Sequence, residues 1–290
     1  MSLNGKTWKR VGLGAVALVS TAVLAACGGK SSSTSSKTDE INWYTPTEIS
    51  TLDISKVTDT YSSIAIGNSG SNLLRRNEDG ELKPDLAEKV EVSEDGLTYI
   101  ATLRDGLKWS DGSDLTADDF VYTWQRIVDP ATASEYAYLA SDAHVLNAAE
   151  VINGTKSVDE LGVKADGNKV IFTLSSPSPQ FMSLLTFANF VPQNKAFVEK
   201  AGSDYATTSE KALYSGPYTV KNWNGSNGSF TLVKNKYYWD AKNVKLKKVN
   251  VQAVKKPDTA VQMYKDGELD TANISGLIRQ TWLVLGLEAQ

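Results

Sequence analysis

The chain has 290 residues, 41% of them hydrophobic and 22% charged, an ordinary composition for a folded soluble protein. Its 30 Lys and Arg residues against 34 Asp and Glu residues give a net charge of -4, and we find no basic face dense enough to bind a nucleic acid. The single cysteine excludes an intramolecular disulfide and thiolate zinc sites, and the single histidine excludes imidazole-rich metal sites. We therefore expect neither a metal ion nor another cofactor.

The N-terminal residues have the pattern of an exported protein. Three basic residues, Lys6, Lys9 and Arg10, precede an apolar run over 11–23, which is shorter than the roughly 20 residues that a bilayer-spanning helix needs. This order is typical of a secretory signal peptide. The motif LAAC, which ends at Cys27, resembles a lipobox, the bacterial signal in which the thiol receives a diacylglyceryl group and cleavage makes the cysteine the first residue.

Residues 1–27 are therefore predicted to be a lipoprotein signal peptide, with Cys27 as the lipidation site. The stretch at 28–40, GGKSSSTSSKTDE, is too polar to form a core and predicts a flexible tether. Two or three acyl chains hold a protein to a membrane almost permanently, because each buried methylene group contributes about 0.8 kcal/mol. We expect the folded part to be lipid-anchored to the cell membrane, on its extracellular face.

The residues after the tether show both strand and helix patterns. Alternating, β-branched and aromatic runs predict strands, and helical spacing of apolar residues with capping signals predicts helices. In chain order we predict a strand at 41–45, a helix at 59–74, strands at 88–92 and 97–103, helices at 117–129 and 142–152, a strand at 169–174, helices at 181–190 and 194–201, strands at 218–223, 229–234 and 244–254, and a helix at 259–265. Because this order lacks the regular alternation of a parallel sheet, the predicted fold class is mixed α/β, of the α+β kind.

The sequence shows no pattern of catalytic residues. A Ser-His-Asp triad would need His144, which lies within the predicted helix at 142–152 and is better explained as a surface or core histidine. Asp118 and Asp119 are neighbours in the first turn of a predicted helix, where they point apart and interact favourably with the helix dipole. No phosphate-binding loop and no glycine-rich dinucleotide fingerprint occurs. The chain is therefore predicted not to be an enzyme.

A series of motifs follows one another along nearly the whole folded part. They are STLDISK, LRDGLKWSDG, TADDFVYTWQR, DPATASEY, LGVKA, YSGPYTVKNW, KYYWDA and YKDGELD. Together they resemble the extracellular solute-binding proteins of family 5, the peptide/nickel-binding family, and most closely the oligopeptide-binding lipoproteins of peptide ABC importers. The resemblance extends from about 41 to 274.

The resemblance implies a fold like that of type II periplasmic binding proteins, with an N-terminal lobe that contains an inserted domain. It assigns 41–70 and 193–275 to a discontinuous first domain and 71–192 to the inserted domain. It also implies that the protein, a monomer, captures extracellular oligopeptides and delivers them to a membrane permease driven by ATPases. The lipobox agrees with this function, because Gram-positive bacteria tether such proteins by lipid.

The resemblance assigns only four ligand-binding residues. The segment that runs beside the peptide backbone in the family corresponds to Thr58, Asp59 and Thr60, and an aromatic residue that contacts the ligand corresponds to Tyr136. An alternative role for Tyr136 is that of a half-buried packing residue. Contacts to the backbone of a peptide satisfy its donors and acceptors, so its side chains matter less for binding.

The chain departs from the family towards its C-terminal end. Family members continue for about as many residues again, whereas here the resemblance stops near Ser275 and 276–290 form an atypical tail. We therefore expect a truncated chain without the second lobe, on which a peptide would meet one wall of a cleft. The acidic residue that neutralises the amino terminus of the peptide in the family would lie in that second lobe.

Three other functions stay open at this point. A peptide-pheromone receptor of the same fold is not distinguished from a nutrient binder by the sequence. A nickel- or haem-binding member of the wider family is less favoured, because the motifs match those of oligopeptide binders. A surface-anchored hydrolase or adhesin is the alternative from another functional class.

Overall fold

The computed structural model describes residues 39–273, and Cys27, the tether up to residue 38 and the tail at 276–290 lie outside this range. The strands are β1 (Glu40–Thr45), β2 (Leu74–Arg76), β3 (Leu82–Pro84), β4 (Ala87–Val92), β5 (Thr98–Leu103), β6 (Val163–Asp166), β7 (Lys169–Thr173), β8 (Tyr218–Lys221), β9 (Ser229–Lys234) and β10 (Lys248–Ala253). The α-helices are α1 (Thr60–Ser69), α2 (Ala117–Val128), α3 (Tyr138–Asp142), α4 (Ala148–Ile152), α5 (Phe181–Leu184), α6 (Lys195–Ala201) and α7 (Pro257–Lys265). The mixed α/β class is confirmed. Among the described residues, no helix has the length and apolar content to cross a membrane.

One four-stranded sheet has the order β1, β10, β9, β8. β1 is parallel to β10, and the other neighbours are antiparallel. Alternate side chains of a strand point to opposite faces, so Trp43, Val251 and Phe230, which are in register across three strands, all pack into one hydrophobic core. The four predicted strands of this sheet are confirmed, and Glu40, which the sequence assigned to the tether, begins the first of them.

A second four-stranded sheet has the order β4, β5, β7, β6, with antiparallel neighbours throughout. The apolar face of α2 includes Phe120 and Trp124, which are both fully buried. The ring of Trp124 lies 4.0 Å from that of Phe190 and 5.2 Å from that of Phe172 in β7. Burial of aromatic side chains contributes about 2–3 kcal/mol each, so this cluster holds the helix to the sheet.

Apolar side chains of the described residues form two large clusters. One draws its buried members from Leu73 to Phe190, around α2 and the sheet of β4–β7. The other draws them from 49–66 and from 191–251, around the sheet that contains β1. Each cluster falls within one of the two domains that the sequence predicts, except that Val191 belongs to the second cluster. The division into two domains and their boundaries stay a prediction.

The predicted helix at 59–74 is correct at its start and wrong at its end. Asp59 caps α1, but the helix stops at Ser69, and Gly70 is extended with φ -111° and ψ 151°. A Cβ atom added to Gly216 would lie 2.7 Å from the carbonyl carbon and oxygen of Gly70. This close approach of two backbones fixes the end of the helix. Residue spacing near the end of α1 does not indicate such a contact.

The predicted helix at 142–152 is wrong, because two short helices, α3 and α4, replace it. Between them, His144 and Asn147 have φ values of 60° and 64°, in the left-handed region that interrupts a helix. The Leu146 N–H donates to the Thr173 carbonyl at 2.9 Å, so the connection pairs with the end of β7. His144 therefore lies in a connection and not on a helix.

The predicted helix at 181–190 is also mostly wrong. Only Phe181–Leu184 is α-helical, followed by a single 3-10 turn at Ala188–Phe190. Phe187 between them is extended, with φ -82° and ψ 139°, and its carbonyl accepts a hydrogen bond from Asn72 Nδ2 at 3.0 Å. The Phe187 carbonyl thus accepts a hydrogen bond from a side chain distant in sequence, instead of the backbone N–H group that a continuous helix would provide.

Candidate functional site

The predicted ligand-binding residues Thr58, Asp59 and Thr60 lie in the segment that leads into α1. Thr58 and Thr60 are exposed and Asp59 is half-buried. The first N–H groups of a helix have no partner inside it, and within the described chain the backbone N–H groups of these three residues donate to no acceptor. The segment therefore presents unused hydrogen-bond donors at the surface.

The carboxylate of Asp59 holds this segment in place. Its Oδ1 accepts the Ser62 N–H at 2.8 Å, and its Oδ2 accepts a hydrogen bond from Ser50 Oγ at 2.6 Å. Partial burial raises the pKa of the carboxyl, but the hydrogen bonds from Ser50 and Ser62 outweigh burial and bring the pKa below the ordinary 3.8. Asp59 is thus ionised at neutral pH and acts as a helix cap, an interaction typically worth about 1 kcal/mol.

Tyr136 belongs to a group of three aromatic rings at the surface, which we call the aromatic patch. Its ring lies 5.8 Å from that of Phe187 and 6.2 Å from that of Tyr138. Tyr138 is 50% exposed and Phe187 38%, whereas Tyr136 is half-buried against the core around α2. Contiguous exposed apolar surface on a soluble protein often marks an interaction site, so the aromatic patch is a candidate contact for apolar parts of a ligand.

A short turn at 187–189 connects the aromatic patch with 58–60. The buried Asn189 donates from Nδ2 to the carbonyl of Ile54 at 3.0 Å and to that of Val57 at 3.1 Å. Phe187 is part of the aromatic patch, and Val57 directly precedes the segment at 58–60. The structure therefore brings the two predicted parts of the site to one region. Sequence reasoning missed Phe187 and Asn189, because local residue spacing gives no sign of the contacts that Asn189 makes across the core.

A groove of about 290 Å³ opens where α1 ends. Its lining includes Asn72, Arg75, Thr186 and Ala188. Because Thr186 and Ala188 flank Phe187, the groove adjoins the aromatic patch. The Arg75 side chain is exposed, and a guanidinium group binds carboxylates and other oxygen acceptors well. The region thus offers polar and apolar contacts side by side.

A buried ion pair supports the loop that precedes 58–60. Arg126 of α2 donates from Nη1 to Asp53 Oδ1 at 2.6 Å and from Nη2 to Asp53 Oδ2 at 2.8 Å. Its Nη1 also donates to Gln193 Oε1 at 2.7 Å, and Gln193 donates in turn to Ser55 Oγ at 2.9 Å. Burial lowers the pKa of Arg126, but the hydrogen bonds with Asp53 outweigh burial and leave it above its ordinary value. This network fixes the loop to α2.

A polar cavity of about 310 Å³ lies beside this ion pair, with Lys56, Tyr205 and Trp223 in its lining. The indole Nε1 of Trp223 is buried and has no hydrogen-bond partner among the described residues. A buried donor without a partner costs about 1–3 kcal/mol of stability. Within residues 39–273, no three His, Cys, Asp or Glu side chains are grouped so as to hold a metal ion.

The chain matches a protein family. The model described as bacterial extracellular solute-binding proteins, family 5 Middle, covers residues 81–281. A dipeptide-binding protein of Lactococcus lactis is 40% identical over 274 residues, which are 93% of this chain and 49% of the relative. The oligopeptide-binding protein OppA of Bacillus subtilis is 36% identical over 282 residues, which are 92% of this chain and 50% of the relative.

A solved structure agrees with these matches. The pheromone receptor PrgZ, whose mode of peptide binding has been determined, superposes with a TM-score of 0.81 at 32% identity, over 84% of this chain and 49% of the receptor. The chain thus spans about half the length of the relatives that it matches.

Proposed function

The chain belongs to family 5 of the bacterial extracellular solute-binding proteins, and on this basis we propose that it captures extracellular oligopeptides for an ABC importer. Its proposed partners are the peptide and a membrane permease with its ATPases. The family consists of solute-binding proteins and not of enzymes, and we propose that this chain likewise carries out no reaction on its ligand.

The observation that carries this proposal is the set of unused backbone donors at Thr58, Asp59 and Thr60. Asn189 links this segment, through the Val57 carbonyl, to the turn next to Phe187 of the aromatic patch. Carbonyl groups of a bound peptide would accept from these N–H groups, in the way an added strand pairs with a sheet edge. Apolar side chains of the peptide would pack on Tyr136 and Phe187. Because backbone groups are common to all peptides, such a surface would bind many sequences.

Replacing Tyr136 by alanine is expected to weaken the binding of a short peptide such as trialanine about tenfold, because aromatic anchors near the centre of an interface contribute more than 1 kcal/mol. Titration followed by calorimetry measures the affinity. The matched control is Tyr264→Ala, which removes a 45% exposed tyrosine from α7 and should leave the affinity unchanged. Equal affinities for Tyr136→Ala and the unaltered chain would mean that Tyr136 only packs against the core.

We propose that Cys27 is lipidated and that 28–38 tether the folded part to the extracellular face of the membrane, as in a Gram-positive lipoprotein. The support is the motif LAAC after a basic and apolar N-terminal stretch. Cells that express the chain are expected to incorporate a labelled fatty acid into it, to lose this label with Cys27→Ala, and to keep it with the control Ser31→Ala. Label that persists in Cys27→Ala would refute the lipidation.

A second candidate is a receptor that binds one signalling peptide. The similarity to the pheromone receptor PrgZ favours it. The two functions differ in selectivity, because a nutrient binder accepts unrelated peptides with similar affinity and a pheromone receptor prefers one sequence. Competition among unrelated peptides for the same chain would separate them, and we favour the nutrient binder since the unused donors at 58–60 would contact only the ligand backbone.

A further inference from the structure

Lysine residues are concentrated in the connection between β9 and β10. We call 234–248 the lysine loop. It holds six lysines and a single acidic residue, Asp240, whereas the described chain as a whole has 24 Lys and Arg residues against 33 Asp and Glu residues. Outside the lysine loop the described chain has 18 basic residues against 32 acidic ones, so the loop is a locally basic segment in an otherwise acidic chain.

Three of these lysines carry uncompensated charge. Lys236, Lys242 and Lys245 are exposed, and none of them forms an ion pair within residues 39–273. By contrast, Lys247 pairs with Asp39 at 2.5 Å and Lys248 lies 3.3 Å from a carboxylate oxygen of β1. Ion pairs inside the protein thus do not account for the accumulation of lysine.

The lysine loop is compact and lies where the described chain begins. Lys234 Nζ donates to the Val244 carbonyl at 2.9 Å, and the Lys234 N–H donates to the Lys247 carbonyl at 3.0 Å. The N–H groups of Lys247 and Lys248 both donate to the carbonyl of Asp39, at 2.7 Å and 3.2 Å. The C-terminal end of the lysine loop therefore contacts Asp39, the first described residue of the chain.

Exposed apolar groups accompany the positive charge. Val233 at the end of β9 and Tyr237 within the lysine loop are each 36% exposed, and Lys236 Nζ lies 4.7 Å from the Tyr237 ring. Tyrosine is favoured at the level of lipid headgroups, where its ring meets both apolar and polar surroundings. A combination of lysines, tyrosine and valine suits a lipid surface better than a purely polyanionic polymer.

We propose that the lysine loop contacts the anionic headgroups of the membrane to which the chain is tethered. This inference rests on the proposed lipidation of Cys27, since the 12 residues from there to Asp39 span at most about 40 Å. Lysines next to an anionic leaflet are attracted within a Debye length of about 8 Å. The contact sets the orientation of the folded part above the bilayer, which the lipid anchor alone leaves free.

The test uses the full chain with Cys27→Ser, so that no lipid is attached, and vesicles of phosphatidylcholine with or without phosphatidylglycerol. We expect the chain to bind the vesicles that contain phosphatidylglycerol more tightly, with an advantage that added salt reduces. Replacing the three unpaired lysines by glutamate (Lys236→Glu, Lys242→Glu, Lys245→Glu) should reduce this binding at least about tenfold. The N-terminal apolar segment is present in every variant and contributes equally.

The control changes the same charge elsewhere, with Lys164→Glu, Lys169→Glu and Lys200→Glu, three exposed lysines that also lack an ion pair within the described chain. This variant should retain most of the binding. An equal loss in both triple variants, or no preference for phosphatidylglycerol, would overturn the proposal. The outcome of this test is independent of the proposed function. Peptide capture is tested by peptide titration, and lipidation by fatty-acid labelling, both on the chain that retains these lysines.

Discussion

Replacing Arg126 by leucine is expected to lower the free energy of unfolding by about 3–5 kcal/mol, as measured by urea denaturation with tryptophan fluorescence. The Asp53 side chain is 9% exposed, and its carboxylate accepts hydrogen bonds from two guanidinium nitrogens of Arg126. Without them a charge stays buried and unpaired, which costs more than the ion pair itself contributes. The loop that leads to 58–60 would lose its attachment to α2.

Two further variants separate this explanation from a general loss of positive charge. Lys108→Leu breaks an exposed ion pair, in which the side chain of Lys108 is 40% exposed and that of Asp114 is 74% exposed. We expect the free energy of unfolding to change by less than about 1 kcal/mol. Adding Asp53→Leu to Arg126→Leu removes the buried charge together with its partner and should recover much of the lost stability. A double variant no more stable than Arg126→Leu alone would show that the charge is not the cause.

Replacing Gly216 by alanine is expected to destabilise the chain by about 3 kcal/mol or more, again in urea denaturation. The added Cβ would lie 2.7 Å from the backbone of Ser69 and Gly70. That backbone cannot move aside freely, because the Gly70 N–H donates to Ile66 and the Gly216 N–H donates to Ser69. The same contact ends α1 and shapes the groove, so peptide binding should weaken together with stability.

The matched control for this variant is Gly67→Ala in the interior of α1. Apart from its chain neighbours and the backbone of α1 itself, no described atom lies within 4 Å of a Cβ added at Gly67. Alanine there should stabilise the helix by about 0.5–1 kcal/mol, the opposite sign. A stability of Gly216→Ala within about 1 kcal/mol of the unaltered chain would mean that the two backbones can separate at little cost.

The strands and the capped helices were accessible from the sequence because their signals are local. Alternation over 218–223 and 229–234 predicted β8 and β9. Helical spacing and capping signals predicted α2, at whose start the Thr116 N–H donates to Asp119 Oδ2 at 2.9 Å. Burial raises the pKa of this carboxyl to about 6, and the hydrogen bonds from Thr116 and Trp109 only partly oppose the effect. Its enclosure by Trp109 had no local signal.

The predictions from the sequence are wrong where contacts between residues far apart in the chain determine the backbone conformation. The end of α1 depends on Gly216, and the break between α3 and α4 depends on pairing with the end of β7. Likewise, nothing in the sequence indicated that Asp53 and Arg126, which are 73 positions apart, form a bidentate pair. Side-chain spacing within one window contains no information on these contacts.

The candidate site was only partly predictable. The resemblance to a family named Thr58, Asp59, Thr60 and Tyr136, whose contact with a ligand stays a prediction. The turn at 187–189, which links them, lies within a predicted helix of which only Phe181–Leu184 forms. A correct assignment of that turn would have required knowledge of the hydrogen bonds that Asn189 makes across the core.

The central claim is that the surface formed by 58–60 and the aromatic patch receives a peptide backbone. Amide chemical shifts of the isotope-labelled chain, followed by NMR during a titration with trialanine, test it most directly, since they detect even weak binding residue by residue. We expect the largest shifts at the amides of Thr58, Asp59 and Thr60 and around Tyr136, and none in the sheet of β4–β7 away from the site. Shifts confined to other regions, or no shifts at millimolar peptide, would contradict the account.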